Sequence, residues 1–199
     1  MRTAGTLKRA QKEKGTPMAN SVLLAVTGGI AAYKAADVVV ELTARGCTVN
    51  VIMTENACKF VAPLTFEALS GNKVYTDTFD YCVDATIKHI TLAQNADVMA
   101  IVPATANAIA KMAHGIADDM LSSTFLAATC PVLVAPAMNT HMYENAATQA
   151  NIEILRSRSI EFIGPEVGKL ACGDIAKGVL SPVDEIVDAI MGKLFARQP

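Results

Sequence analysis

Tryptophan is absent from this 199-residue chain, and aromatic residues make up only 5% of it. Against 52% hydrophobic residues, rich in Ala, Val, Ile and Leu, that scarcity argues against a sandwich or barrel and for layered α/β packing. Five cysteines, at 47, 58, 82, 130 and 172, show no Cys-x-x-Cys spacing. A disulfide framework and a structural zinc site are thereby disfavoured, and a reducing compartment, the cytoplasm, is expected. Three histidines, at 89, 114 and 141, lie too far apart to suggest metal ligation. No apolar run has the length of a membrane span, and the N-terminal stretch lacks the apolar core of a secretory signal. The formal charge is −2, but Arg2, Lys8, Arg9, Lys12 and Lys14 stand against Glu13 alone in residues 1–17. The remaining body is acidic and without a basic stripe, which excludes a nucleic-acid surface. We expect residues 1–17 to be a disordered extension and 18–199 to form one domain.

What is there reads as strands alternating with helices. Ser21–Thr27 is a strongly apolar strand ending in Gly28-Gly29, and a helix follows from Ala31 to about Arg45, stopped by Gly46. Cys47–Met53 is the next strand, so the first third is a β-α-β unit with a right-handed crossover. Asn56–Ser70 predicts one or two short helices broken at Pro63, and 71–85 a loop or small hairpin. Further strands are expected at Ala96–Val102, ended by Pro103, at 131–135 and at Ile160–Ile163, with helices over 107–114, 119–129 and 145–158. Gly164–Gly178 holds four glycines and a proline and reads as a loop. Ser181 is the expected N-cap of a last helix, with Pro182 in its first turn and Asp184 as capping partner. The whole is an α/β domain: a single doubly wound, mostly parallel sheet of three-layer, Rossmann- or flavodoxin-like form.

Four strand ends draw attention, because ligands of open α/β sheets bind beyond the carboxyl ends of the strands. Thr27-Gly28-Gly29-Ile30 lets backbone approach a ligand, although a tight turn needing glycine for steric reasons explains it equally well. Thr105, in Pro103-Ala104-Thr105-Ala106-Asn107, is either a phosphate or flavin seat or a helix cap. Met53-Thr54 ends the second strand in an equivalent place. Pro136-Ala137-Met138-Asn139-Thr140-His141-Met142-Tyr143 suits neither a plain strand nor a plain helix and has the residue types of a pocket rim.

This last segment resembles the Pro-x-Met-Asn-x-x-Met-Trp signature of the flavin-dependent cysteine decarboxylases. That family includes the phosphopantothenoylcysteine decarboxylases of coenzyme A synthesis and the lantibiotic peptidyl-cysteine decarboxylases. Gly168-Lys169-Leu170-Ala171-Cys172-Gly173 resembles the substrate-recognition flap of the former group, and Lys88-His89-Ile90-Thr91-Leu92 its active-site His-Ile-x-Leu element. Tyr143 stands where the family usually has tryptophan, and Gly29 where some relatives have serine. The resemblance implies FMN as cofactor, held by Gly28, Gly29, Ile30, Thr54, Thr105, Ala106, Asn107 and Ala137. It implies catalysis by His89, Asn139 and Cys172, and substrate contacts from Asn139, Met142, Ala171, Cys172 and Gly173.

The implied reaction converts 4'-phospho-N-pantothenoylcysteine to 4'-phosphopantetheine, with Cys172 as the proton donor that gives a saturated product. A homotrimer or homododecamer with FMN near a subunit boundary is the implied assembly. Rival readings are an oxidative peptidyl-cysteine decarboxylase, against which Cys172 counts, a non-enzymatic regulatory homologue and a simple FMN electron carrier.

Overall fold

The computed structural model of the chain describes residues 20–79, 87–171 and 173–196. The expected N-terminal extension and Cys172 therefore lie outside the described residues. Six strands, β1 (Ser21–Val26), β2 (Thr48–Met53), β3 (Val74–Tyr75), β4 (Val98–Ala104), β5 (Val132–Pro136) and β6 (Glu161–Phe162), form one sheet in the order β3-β2-β1-β4-β5-β6. Every neighbouring pair in it is parallel. This is the Rossmann order, which decides between the two doubly wound forms left open by the sequence.

The strands alternate between two packed layers. On β1, Val22, Leu24 and Val26 face one cluster, and Leu23 and Ala25 face the other. Burial on both faces is why this strand is a continuous apolar run with no polar alternation. The first layer holds α1 (Lys34–Ala44), α2 (Pro63–Ser70) and α8 (Val183–Phe195), whose Val38, Leu42, Phe66, Ile186 and Ile190 are fully buried. The second holds α3 (Lys88–Asn95), α4 (Ala106–His114), α5 (Met120–Ala127) and α7 (Ala146–Ser157), which contribute Leu92, Ile109, Met112, Leu121 and Leu155. Each such side chain adds about 1.5–3 kcal/mol on transfer from water. Among the described residues no helix is long and apolar enough to cross a membrane.

Three expectations need correction, while a fourth, that 136–143 is neither a plain strand nor a plain helix, holds. The stretch read as a loop over 164–178 contains an antiparallel ribbon, β7 (Glu166–Lys169) with β8 (Ile175–Val179). Between 71 and 79 lies β3, a two-residue edge strand parallel to β2. The segment 136–143 ends β5 and opens a short helix, α6 (Thr140–Glu144). At α8 the N-cap is Pro182 with no side-chain cap, while Ser181 is fully buried with its hydroxyl unpartnered among the described residues.

A charged cap joins α4 to α5 in the second layer. Lys111 of α4 reaches Asp118 at 2.6 Å and Asp119 at 2.8 Å. Asp119 caps α5, accepting from the Ser122 amide at 2.7 Å while the Ser122 hydroxyl accepts from the Asp119 amide at 3.1 Å. Burial by itself would raise the Asp119 pKa, but the bonds from Lys111 and Ser122 hold it below its ordinary value of 3.8. A depressed folded pKa means that this stabilisation is complete above the ordinary value and is lost as pH falls through the folded one. Thermal midpoints measured from pH 7 down to pH 3 should therefore fall less steeply for Asp119→Asn than for the parent, from a lower starting value. Equal acid slopes would contradict the assignment.

Candidate functional site

The carboxyl ends of β1, β4 and β5 and the β7–β8 ribbon enclose one cavity of about 670 Å³. Gly28, Gly29, Ile30 and Lys34 form its first wall, after β1, and Thr105 and Ala106 its second, after β4. Ala137, Met138, Asn139 and Met142 supply a third, and Lys169, Leu170, Ala171 and Gly178 on the ribbon a fourth. The sheet reverses its strand order between β1 and β4, so the cavity lies where α/β sheets ordinarily take ligands.

The two glycines after β1 differ in kind. A Cβ at Gly28 would overlap the side chain and backbone of Asn56, so glycine is required there by packing. At Gly29 the nearest atom to such a Cβ is Thr105 Cγ2, at 3.8 Å, and the backbone lies open to the cavity. Thr105 is the N-cap of α4, its hydroxyl accepting from the Ala108 amide at 3.3 Å, while the residue also lines the cavity. The cap reading of that threonine therefore holds, and its position also faces the cavity.

Asn139 is the N-cap of α6, and its Oδ1 accepts from the His141 amide at 2.9 Å. This bond fixes the amide plane at the cavity wall. Tyr143 is buried, with Lys177 Nζ 5.4 Å from its ring centre. The Met138 amide donates to the Gly178 carbonyl at 3.0 Å, which ties the 136–143 segment to the ribbon. Gly178 has φ of +144°, and a Cβ on it would overlap the Met138 carbonyl. Only glycine allows this junction.

Not every expected residue lines the cavity. The Thr54 amide donates to Val26 O at 3.0 Å and its hydroxyl accepts from the Ala57 amide at 3.2 Å, so it closes the turn after β2. Asn107, in the first turn of α4, is exposed, as is Gly173 at the ribbon tip, and neither is in the lining. His89 sits on α3, away from the lining, and its buried Nδ1 has no partner among the described residues. Burial pushes the Cys47 and Cys58 thiols up, and neither reaches the cavity.

Sequence reasoning missed Lys34, Lys169 and Gly178. Lys34 and Lys169 are the charged residues of the lining, and no carboxylate accompanies them. A cavity so lined favours an anionic ligand. Small residues on three walls (Gly29, Ala106, Ala137) with Ile30, Met138 and Leu170 suit a flat apolar ring, and the lysines suit a phosphate. The lining therefore fits a flat ring that carries a phosphate.

The family description Flavoprotein matches residues 10–195. The chain belongs to this family. It is 53% identical over 178 residues to the coenzyme A biosynthesis bifunctional protein CoaBC of Bacillus subtilis, covering 89% of this chain and 44% of that one. It spans less than half the length of the bifunctional relatives it matches. A probable phosphopantothenoylcysteine decarboxylase of Streptococcus mutans is 45% identical over 179 residues, covering 89% of this chain and all of that one. Among solved structures, a cysteine-to-serine mutant of PPC decarboxylase complexed with pantothenoylaminoethenethiol superposes with a TM-score of 0.81 at 30% identity, covering 90% of this chain and 100% of that one. The FMN-dependent cysteine decarboxylase SpaF gives a TM-score of 0.77 at 32% identity, over 88% of this chain and 97% of that one.

The glycine contrast is directly testable by denaturant unfolding. Gly28→Ala should destabilise the protein by about 1–3 kcal/mol, the usual cost of overpacking. Gly29→Ala should stay within about 0.5 kcal/mol of the parent, as open surface positions do.

Proposed function

We propose that this chain decarboxylates 4'-phospho-N-pantothenoylcysteine to 4'-phosphopantetheine with FMN as cofactor, in coenzyme A biosynthesis. One observation carries the reading: the bond between Met138 and Gly178 brings the Asn139 segment and the ribbon bearing Leu170 and Ala171 to the same cavity. These are the two segments that resemble the decarboxylase signature and its flap. The work belongs in the cytoplasm, where a reduced Cys172 persists.

A cysteine carboxylate does not lose CO₂ readily, because the carbanion left behind has no electron sink. FMN, when bound, would supply one by reversibly accepting a hydride from the substrate's Cβ. The chain's own residues bind, orient and shield. Gly29, Ala106 and Ala137 leave room for the ring, and Ile30, Met138 and Leu170 exclude water from it. Asn139, with its amide plane set by the His141 amide, holds the substrate carboxylate. Cys172 would protonate the enethiolate left by CO₂ loss; that proton and a returned hydride together make up the two hydrogens of the saturated thiol, with no net redox change. Of the other contacts proposed from the resemblance, Met142 and Ala171 line the cavity, while Thr54, Asn107 and Gly173 do not.

We place the FMN near a boundary between subunits of a homotrimer or a dodecamer of such trimers. Two facts support this. Ile30 and Met142 of the lining are 62% and 51% exposed, leaving an apolar rim to cover. His89 is absent from its own chain's lining among the described residues, so the catalytic part proposed for it calls for a histidine brought to the cavity across a subunit boundary.

Cys172→Ser tests the division of labour. CO₂ release should persist while the product becomes an enethiol two hydrogens lighter than 4'-phosphopantetheine by mass. Undiminished saturated product would remove Cys172 from the reaction.

A further inference from the structure

A strip of hydrogen bonds along the carboxyl edge of the sheet joins the elements that carry the walls of the cavity to one another and to β2. The Thr54 amide bonds Val26 O at 3.0 Å, the Ala137 amide bonds Ala104 O at 3.1 Å, and the Met138 amide bonds Gly178 O at 3.0 Å. All three are backbone links that most substitutions would leave in place. The link between β1 and β4 is different. Backbone pairing of these strands runs from Val22 and Val98 to Ala25 and Ile101 and goes no further. Pro103 then stands where β1 would need a partner, and it has no N–H to give.

Thr27 closes that gap with its side chain. Its hydroxyl donates to Pro103 O at 2.7 Å and accepts from the Thr105 amide at 3.0 Å. The residue is 1% exposed and does not line the cavity, whereas Gly28 on one side of the link and Thr105 on the other both do. A hydroxyl is one donor and an acceptor at once, so it satisfies both buried groups. Valine, of the same shape, would leave a carbonyl and an N–H without partners. The β1–β4 junction is also the one across which connections diverge to opposite faces, so no following helix bridges it.

We propose that Thr27 is a positioning residue, setting the separation of the Gly28–Ile30 wall from the Thr105–Ala106 wall and thereby the fit of the flavin between them. Its functional half rests on the FMN reading above, and its structural half does not. The test uses Thr27→Val and Thr27→Ser with two readouts: hydrogen exchange in the cofactor-free protein, and FMN titration followed by flavin fluorescence. In Thr27→Val, amide exchange should quicken at Thr105–Ala108 while β1 and β5 stay protected. FMN affinity should fall roughly tenfold, the scale of one lost buried hydrogen bond. Thr27→Ser, which keeps the hydroxyl, should restore both.

Parent-like exchange and affinity in Thr27→Val would overturn the proposal. So would a serine variant as impaired as the valine one, since the methyl group would then be what matters. If the valine variant does not fold, Thr27→Ala against Thr27→Ser makes the same comparison with less crowding. A parent protein that binds no FMN would defeat the cofactor reading alone, and exchange at Thr105–Ala108 would still decide what Thr27 holds.

Discussion

Between β1 and β4 the chain leaves the sheet in opposite directions. The connection from β1 runs through α1 on one face, and that from β4 through α4 and α5 on the other. Right-handed crossovers oblige this divergence once the strand order is β3-β2-β1-β4-β5-β6. The first turns after two adjacent parallel strands therefore separate, and an open crevice is left that neither helix fills. Everything functional depends on that opening. It gives Gly29 and Thr105 a shared space, and it leaves the junction between their strands to be held by one side chain.

The ribbon of β7 and β8 gains its position from tertiary contacts. Its pairing is short, and Val167 and Ile175 are largely exposed, so its own burial contributes little. The bond from Met138 to Gly178 and the stacking of Lys177 on Tyr143 seat it over the cavity. Tyr143 in place of the family's tryptophan still gives Lys177 an aromatic face. An element anchored at its base and lightly packed elsewhere can open locally at small cost. That suits the flap role proposed for it above.

The parts of this architecture legible in the sequence are those where burial on both faces writes itself as an apolar run. β1, β4 and β5 were readable for that reason, β2 from its β-branched residues, and α1, α4 and α7 from their helical spacing. Elements whose structure comes from elsewhere were not. The β7–β8 ribbon carries glycines and no inward apolar alternation, because its partner is the 136–143 segment. Two-residue β3 borrows its register from β2. The expected cap at Ser181 failed because the cap-like Ser-Pro-x-Asp spacing says nothing of burial. At the site, composition marked the correct turns but could not separate the glycine required by packing from the one facing the cavity. Nor could it tell that Thr27, inside a recognised motif, is spent on the scaffold.

The central claim is that the cavity turns a cysteine carboxylate into a saturated thiol without any external electron donor. The most direct measurement is incubation of the purified, flavin-loaded protein with 4'-phospho-N-pantothenoylcysteine in the absence of reductant, followed by mass analysis. The account predicts CO₂ and saturated 4'-phosphopantetheine as products. An enethiol two hydrogens lighter, or no turnover by protein that retains its flavin, would contradict it.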